Sequence, residues 1–214
     1  MNDQTSVRIL ELLASKICHD LISPVGAVAN GVEILEELGP EDAEDVVSLI
    51  SFSATQANAK LKTLRMAYGL GGSDESIKPA DVHTTFEDFI AGEKRLSQDW
   101  DAHADLGVER PTGFPKLLLC AMLLATEALP KGGVISVDPE TENTIVIKAT
   151  GENANFREGF VHALEHKTPD TDIDPKLVHA YITGLLAKTY GFTVDVSEEQ
   201  ESFILLRLTI PNVS

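Results

Sequence analysis

The first 70 positions of this chain carry a helical repeat of apolar residues, which favours long paired helices. In the first segment, apolar residues recur every three or four positions, at Leu10, Leu13, Ile17, Leu21, Val25, Val28, Val32 and Leu35. The same spacing returns in a second segment, at Val47, Ile50, Ala54, Ala57, Leu61, Leu64 and Tyr68. Between the segments, Gly39 suits a helix end and Pro40 suits the first turn of the next helix. The spacing therefore predicts a hairpin of two helices, each about 30 residues and about 45 Å long.

Each predicted helix carries a heptad-like apolar seam, and two helices alone do not cover such seams on all sides. Sustained seams are covered in four-helix bundles, so the economical arrangement is a homodimer in which two hairpins associate. In this arrangement Leu61 and Leu64 are buried by partner helices. The alternative is that the hairpin packs on the C-terminal half of its own chain.

A glycine-rich polar stretch, residues 69–79, separates the hairpin from a region of mixed patterning. Helical spacing in that region predicts helices at 84–98, 115–129 and 175–190. Strand-like runs occur at 134–137, 144–148, 192–196 and 203–210. The predicted fold class is therefore α+β, with a helical hairpin domain at 1–70, a linker at 71–80 and a two-layer α/β sandwich at 81–214.

The charge of the chain argues against several classes of partner. Its 214 residues include 17 basic and 34 acidic side chains, a formal net charge of −17. Binding to nucleic acid or to an anionic membrane surface needs a basic face, so neither is expected. The longest uncharged apolar run, residues 117–125, is well short of the roughly 20 residues that span a bilayer. The N-terminal residues show no secretory signal pattern, so the expected location is the cytoplasm.

Cysteine and histidine patterns give no indication of a metal site or a disulfide. Cys18 and Cys120 both lie within apolar helical patterns, so we expect them to be buried small hydrophobes in a reducing compartment. His162 and His166 are one helical turn apart, but no further ligand at metal spacing accompanies them.

His19 lies off the seam of the first helix, two positions from both Ile17 and Leu21, so it is expected to face outward. Its neighbours on that face are Ser15, Lys16, Ile22, Ser23 and Gly26. A lone surface histidine usually has no role. This one, however, is followed by Asp20 and, five residues on, by Pro24 within the helical pattern. An exposed isoleucine beside a histidine and above a glycine suits a docking face better than a purely solvated one.

The segment KICHDLISPVG, residues 16–26, resembles the H-box of two-component histidine kinases, whose histidine carries a phosphoryl group. The sequence HDLISPVGA, followed by a second long helix, resembles the ChpT-type histidine phosphotransferases of alphaproteobacteria. This resemblance covers essentially the whole chain. It implies a dimeric helical bundle followed by a domain shaped like the ATP-binding domain of a histidine kinase but unable to bind ATP.

The residues that hold nucleotide in such a kinase domain are replaced in this chain. Leu124 takes the place of the asparagine that holds magnesium and phosphates, and Ala149 takes the place of the adenine-binding aspartate. Asn153 stands where a second glycine is expected, and no glycine-rich lid precedes the helix that ends at Tyr190. A leucine side chain cannot coordinate a metal, and an alanine side chain cannot accept a hydrogen bond. The outline of the domain persists in the sequence without its nucleotide chemistry.

The resemblance implies a phosphorelay protein in which His19 accepts a phosphoryl group from one receiver aspartate and passes it to another. Imidazole suits this task because its neutral nitrogen is nucleophilic near pH 7. Asp20 is expected to support His19 by orienting the imidazole or handling its proton. No cofactor of its own is expected, since the receiver would carry the Mg²⁺. The implied donor is the receiver of a CckA-like hybrid kinase, and the implied acceptors are CtrA-like and CpdR-like regulators.

The residues expected to contact a docked partner surround the histidine. They are Lys16, Ile22, Ser23, Gly26, Lys62 and Arg65. Lys60, Lys62 and Arg65 belong to the second helix and are expected at about the height of His19, because they lie about as far past the turn as His19 lies before it.

Two other interpretations stay open on the sequence. An autophosphorylating histidine kinase core would bind ATP, which a calorimetric titration detects. A dimeric adaptor with an incidental histidine would accept no phosphoryl group from a phosphorylated receiver.

Overall fold

The computed structural model describes residues 3–37, 43–70, 76–103, 106, 111–198 and 202–210. As the apolar spacing predicts, the N-terminal region forms two long helices, α1 (Asp3–Glu37) and α2 (Ala43–Tyr68). α1 continues past Pro24, which lies inside it. Two acidic residues lie in the first turn of α2, where negative charge is favourable to the helix dipole. The predicted turn residues Gly39 and Pro40 lie outside the described residues.

The two helices contact each other along the hairpin, and one glycine on α1 permits a close approach. A Cβ atom added at Gly31 would stand 2.5 Å from Cγ1 of Ile50 on α2. Any larger residue at this position would therefore force the Ile50 side chain or the helix backbones to move. The structure places this glycine at a packing contact between helices, not at a turn.

The hairpin leaves many large apolar side chains uncovered within the protomer. They are Val7, Leu10, Ile22, Val25, Val32, Ile34, Val47, Leu49, Phe52 and Leu61. The expectation that Leu64 needs partner helices is wrong, because residues of its own chain leave it only 9% exposed. Leu61, by contrast, is 52% exposed, so of this pair only Leu61 is left for a partner to cover.

The Val7–Glu37 part of α1 is long and apolar enough, by length and composition, to cross a membrane. One such helix is weak evidence for a membrane segment, because core helices and N-terminal signal sequences pass the same test, although the apolar window of this helix is not buried within the described residues. Here α1 contacts α2 along the hairpin and also contacts the C-terminal region.

The C-terminal region combines helices with a mixed sheet. Its helices are α3 (Pro79–Ile90), α4 (Phe114–Glu127), α5 (Phe160–Leu164) and α6 (Val178–Tyr190). Its strands are β1 (Leu96–Gln98), β2 (Gly133–Thr141), β3 (Thr144–Thr150), β4 (Thr193–Glu198) and β5 (Phe203–Thr209). They are ordered β1-β2-β3-β5-β4, with β1 parallel to β2 and the other neighbours antiparallel. A helical hairpin followed by this mixed region confirms the α+β fold class.

The core of the C-terminal region lies between α4 and the sheet. α4 is buried along nearly its whole length and contacts β2, β3 and β5. β3 and β5 alternate between buried and partly exposed residues, as expected for strands with one face on a core. The apolar run that the sequence places at 115–129 is therefore the central helix of this layer.

Two expectations about local structure are wrong. The helix expected at 84–98 begins earlier, at Pro79, where the Asp81 carboxylate accepts a hydrogen bond from the backbone of Lys78 at 2.8 Å. It ends at Ile90, and residues 96–98 instead form β1, which pairs with β2. Leu96, an apolar residue near the expected helix end, therefore belongs to a strand paired with β2 and does not continue the helix. Cys18 is also exposed, whereas Cys120 is buried as expected.

A buried lysine connects the hairpin to the C-terminal region. Lys116 on α4 is buried, and its Nζ donates hydrogen bonds to the backbone oxygens of Ala67 at 3.1 Å and Met66 at 3.3 Å. These carbonyls belong to the last turn of α2, where a helix has unsatisfied acceptors and partial negative charge. Burial lowers the pKa of Lys116 from its ordinary value. The ammonium thus fixes the C-terminal end of α2 on α4.

Candidate functional site

His19 lies in the middle of α1 with its side chain 86% exposed, in the orientation that the helical spacing predicts. Its Nδ1 atom is 3.4 Å from Oδ1 of Asp20, the next residue. An ionised carboxylate can only accept, so the Nδ1–H tautomer of His19 is the one that can donate to Asp20 in this contact. In that tautomer Nε2 carries the available lone pair of the ring.

The helix surface beside His19 is open and partly apolar. Ile22, one turn from His19, is 71% exposed, and Ser23 is also exposed. A Cβ atom added at Gly26 would meet no atom within 4 Å. His19, Ile22 and Gly26 form an open stripe on α1, which we call the docking stripe because it is the expected contact surface for a partner.

Asp20 and Lys16 turn toward the C-terminal region instead. Lys16 Nζ is 3.5 Å from Oδ2 of Asp20 and 4.0 Å from Oε1 of Glu127 on α4. The same oxygen of Glu127 lies 3.1 Å from Nδ1 of His179 on α6, whose ring is buried. The structure therefore brings Lys16 beside Asp20 but not onto the docking stripe.

These side chains line a cleft of about 410 Å³ between the hairpin and the C-terminal region. Lys60 of α2 also lines it, so one of the expected cations of α2 faces the same cleft as Asp20. Lys62 and Arg65 are exposed, and among the residues described as lining this cleft neither occurs. Their expected contact with a partner stays a prediction.

Sequence reasoning missed Glu127 and His179. Burial raises the pKa of Glu127, but the hydrogen bond and charge of His179, with the charges of Lys16 and Arg157, outweigh it and lower this pKa overall. Glu127 is therefore ionised, and His179 is its buried hydrogen-bond partner. In the sequence, the one indication of Glu127 was an acidic residue at the end of an otherwise apolar helix. No sequence pattern indicated a role for His179.

The positions expected to have lost nucleotide chemistry are parts of the apolar core. Leu124 and Ala149 are both buried. The turn at Gly151 also lies against the chain, since a Cβ atom there would stand 2.4 Å from the backbone oxygen of Gly132. Within the described residues, no group of three or more histidine, cysteine or acidic side chains is arranged to hold a metal ion.

A family model described as the histidine phosphotransferase C-terminal domain matches residues 79–202, beginning at the first residue of α3. The match spans more than half of the chain, so the chain belongs to the histidine phosphotransferase family and is a phosphotransferase. It is 34% identical over 197 residues to the protein phosphotransferase ChpT of Brucella abortus (strain 2308), covering 90% of this chain and 91% of that protein. The resemblance to the ChpT-type histidine phosphotransferases is thereby confirmed.

The fold agrees with this family. A solved structure described as a bacterial phosphotransferase superimposes with a TM-score of 0.75 at 31% sequence identity. The superposition covers 94% of this chain and 96% of that one. Both the hairpin and the C-terminal region are therefore shared with a phosphotransferase.

Proposed function

We propose that this phosphotransferase acts in a two-component phosphorelay, with His19 as the residue that carries the phosphoryl group. It accepts the group from an aspartyl phosphate of one receiver domain and passes it to the aspartate of another. The observation that carries the proposal is the exposed His19 imidazole on an open stripe of α1, with its Nδ1 atom 3.4 Å from Oδ1 of Asp20. The resemblance to ChpT-type proteins supports the same role.

The chemistry follows from the orientation of the ring. With the proton on Nδ1, the lone pair of Nε2 attacks the phosphorus of the aspartyl phosphate. A P–N bond forms, the P–O bond breaks, and its electron pair returns to the receiver carboxylate. The proton stays on Nδ1, where Asp20 balances the positive charge that the ring gains. The reverse sequence delivers the group to a second receiver, so catalysis consists mainly of positioning and charge neutralisation.

The docking stripe is the proposed contact surface for both receivers. Ile22 offers an apolar anchor, Ser23 a small polar contact and Gly26 a gap without a side chain. Lys62 and Arg65 are proposed contacts at the edge of this surface. The receiver brings the Mg²⁺ and the resemblance implies CckA-like, CtrA-like and CpdR-like partners. The proposed location of the protein is the cytoplasm.

Label transfer tests this function directly. A purified receiver carrying radiolabelled phosphate is mixed with the protein. We expect the label to appear on the protein in the earliest samples taken after mixing. A second, unphosphorylated receiver should then take up the label. A dimeric adaptor with an incidental histidine would leave all of the label on the first receiver.

We also propose that the protein is a homodimer through its hairpins. The exposed Leu61 is expected to lie in the interface, whereas Leu64 is buried by its own chain. Leu61→Asp should therefore shift the protein to monomers in light scattering, with the circular dichroism spectrum unchanged. Leu64→Ala is the matched control. It should lower the free energy of unfolding of the protomer by about 2–5 kcal/mol, while the folded protein remains dimeric in light scattering. A wild-type protein that is monomeric at micromolar concentration would contradict the four-helix bundle.

The protein is further expected not to bind ATP, in contrast to a histidine kinase core. Apolar Leu124 and Ala149 occupy the positions of the polar nucleotide ligands, and both belong to the core. Calorimetric titration with ATP and Mg²⁺ should give no heat of binding, and incubation with labelled ATP should leave the protein unlabelled. A micromolar dissociation constant would favour the kinase interpretation instead.

A further inference from the structure

A chain of ionic contacts runs from His19 into the C-terminal region. The two carboxylate oxygens of Asp20 are divided between His19, whose Nδ1 is 3.4 Å from Oδ1, and Lys16, whose Nζ is 3.5 Å from Oδ2. The Lys16 ammonium is also 4.0 Å from Oε1 of Glu127. That oxygen accepts a hydrogen bond from Nδ1 of His179 at 3.1 Å. We call Asp20, Lys16, Glu127 and His179 the ionic chain.

The end of the ionic chain inside the C-terminal region is rigid. The His179 ring is buried, and the Tyr68 ring contacts it edge-on with centroids 5.8 Å apart. The Glu127 side chain is only 25% exposed, and its hydrogen bond to His179 joins α4 to α6. A carboxylate held in this way presents an oxygen atom in a defined position to Lys16 of the hairpin.

The end of the ionic chain on α1 is not rigid by itself. Lys16 and Asp20 are four residues apart on one helix, and such pairs on exposed helices are weak. A lysine ammonium on its flexible stem is positioned mainly by its partners. A second, fixed carboxylate within 4.0 Å therefore restricts Lys16, and Lys16 in turn restricts the Asp20 carboxylate.

We propose that Glu127 and His179 are positioning residues for phosphoryl transfer at His19: they fix Lys16, which holds the Asp20 carboxylate beside Nδ1 of the imidazole. This inference rests on the proposed role of His19. It gives the C-terminal region a function in the transfer reaction that requires neither nucleotide nor contact with the phosphoryl group. The docking stripe lies on the outer side of α1, so the ionic chain acts on the rate of transfer and not on receiver binding.

The first test is Glu127→Gln, which keeps the shape of the side chain and removes its charge. Transfer from a saturating phosphorylated receiver should slow by about twofold to fivefold, the effect of losing one partly exposed ion pair. The receiver concentration at half-maximal rate should stay unchanged. Glu93→Gln is the matched control, because Glu93 lines the same cleft but belongs to no contact of the ionic chain. Its transfer rate should equal that of the wild-type protein.

Variants of His179 separate positioning from general packing. His179→Asn keeps a hydrogen-bond donor near the position of Nδ1, so this variant should retain most of the wild-type transfer rate. His179→Leu removes the donor at similar volume and should slow transfer as Glu127→Gln does. If Glu127→Gln fails to fold, this pair decides the matter, and equal rates for the two variants would overturn the proposal.

Two further measurements follow the effect to His19 itself. In nitrogen NMR spectra of neutral His19, Glu127→Gln should shift the tautomer population away from the Nδ1–H form. In combination with Lys16→Met, the added loss from Glu127→Gln should vanish, because both variants break the same chain. Four results would each overturn the proposal. They are a wild-type transfer rate in Glu127→Gln, an equally slow rate in Glu93→Gln, an unchanged tautomer population of His19 in Glu127→Gln, and additive losses in the double variant with Lys16→Met. Continued labelling of His19→Gln would instead refute the role of His19 itself.

Discussion

Replacing His19 by glutamine is expected to lower phosphoryl transfer from a phosphorylated receiver by more than about 10³-fold, as removal of a nucleophile does. A glutamine amide nitrogen carries no available lone pair, so no P–N bond can form at this position. The His19 side chain is 86% exposed, so the substitution should change stability by no more than about 0.5 kcal/mol. The measurement is transfer of radiolabelled phosphate, followed on denaturing gels. Receiver binding by His19→Gln should equal that of the wild-type protein.

The matched control for this variant is His162→Gln. His162 is also an exposed helical histidine, but it lies on α5 and not on the hairpin. Its substitution should leave the transfer rate unchanged. Stable labelling of His19→Gln together with loss of labelling in His162→Gln would move the phosphorylated residue to the C-terminal region.

The outward orientation of His19 could be predicted because it depends only on helical geometry. A seam through Ile17 and Leu21 fixes which side of α1 faces inward, and a residue two positions from each must face away. The same local rule located α2, α4 and four of the five described strands from their apolar patterns. Local periodicity therefore sufficed for the hairpin and for the stripe around the histidine.

The ionic chain could not be predicted in the same way. Glu127 and His179 are more than 100 residues from Lys16 in sequence, and only the tertiary fold brings them within 4.0 Å of it or of each other. Lys116 presents the same difficulty, because its role depends on carbonyl groups of α2 that no side-chain pattern reveals. The short strand β1 exists through its pairing with β2, so its own three residues give little signal.

Replacing Gly26 by leucine is expected to block receiver docking while the protein stays folded. A Cβ atom at this position meets no atom within 4 Å, so the protomer has room for a larger side chain. Removing a glycine from a helix interior should even raise stability, by about 0.5–1 kcal/mol. The leucine would occupy the gap through which the receiver brings its phosphoryl group to within roughly 3–3.5 Å of the histidine. The dissociation constant for the receiver should rise by about tenfold or more.

Two glycine variants show whether this effect belongs to docking. Gly26→Ala should give a similar gain in stability with a smaller loss of receiver affinity, because its side chain fills less of the gap. Gly31→Ala should do the opposite: its Cβ atom would stand 2.5 Å from Ile50, so it should lower the melting temperature. Thermal unfolding and receiver titrations measure both quantities for all three variants. Transfer and affinity at wild-type levels in Gly26→Leu would place the docking surface elsewhere on the hairpin, even with His19 as the phosphoacceptor.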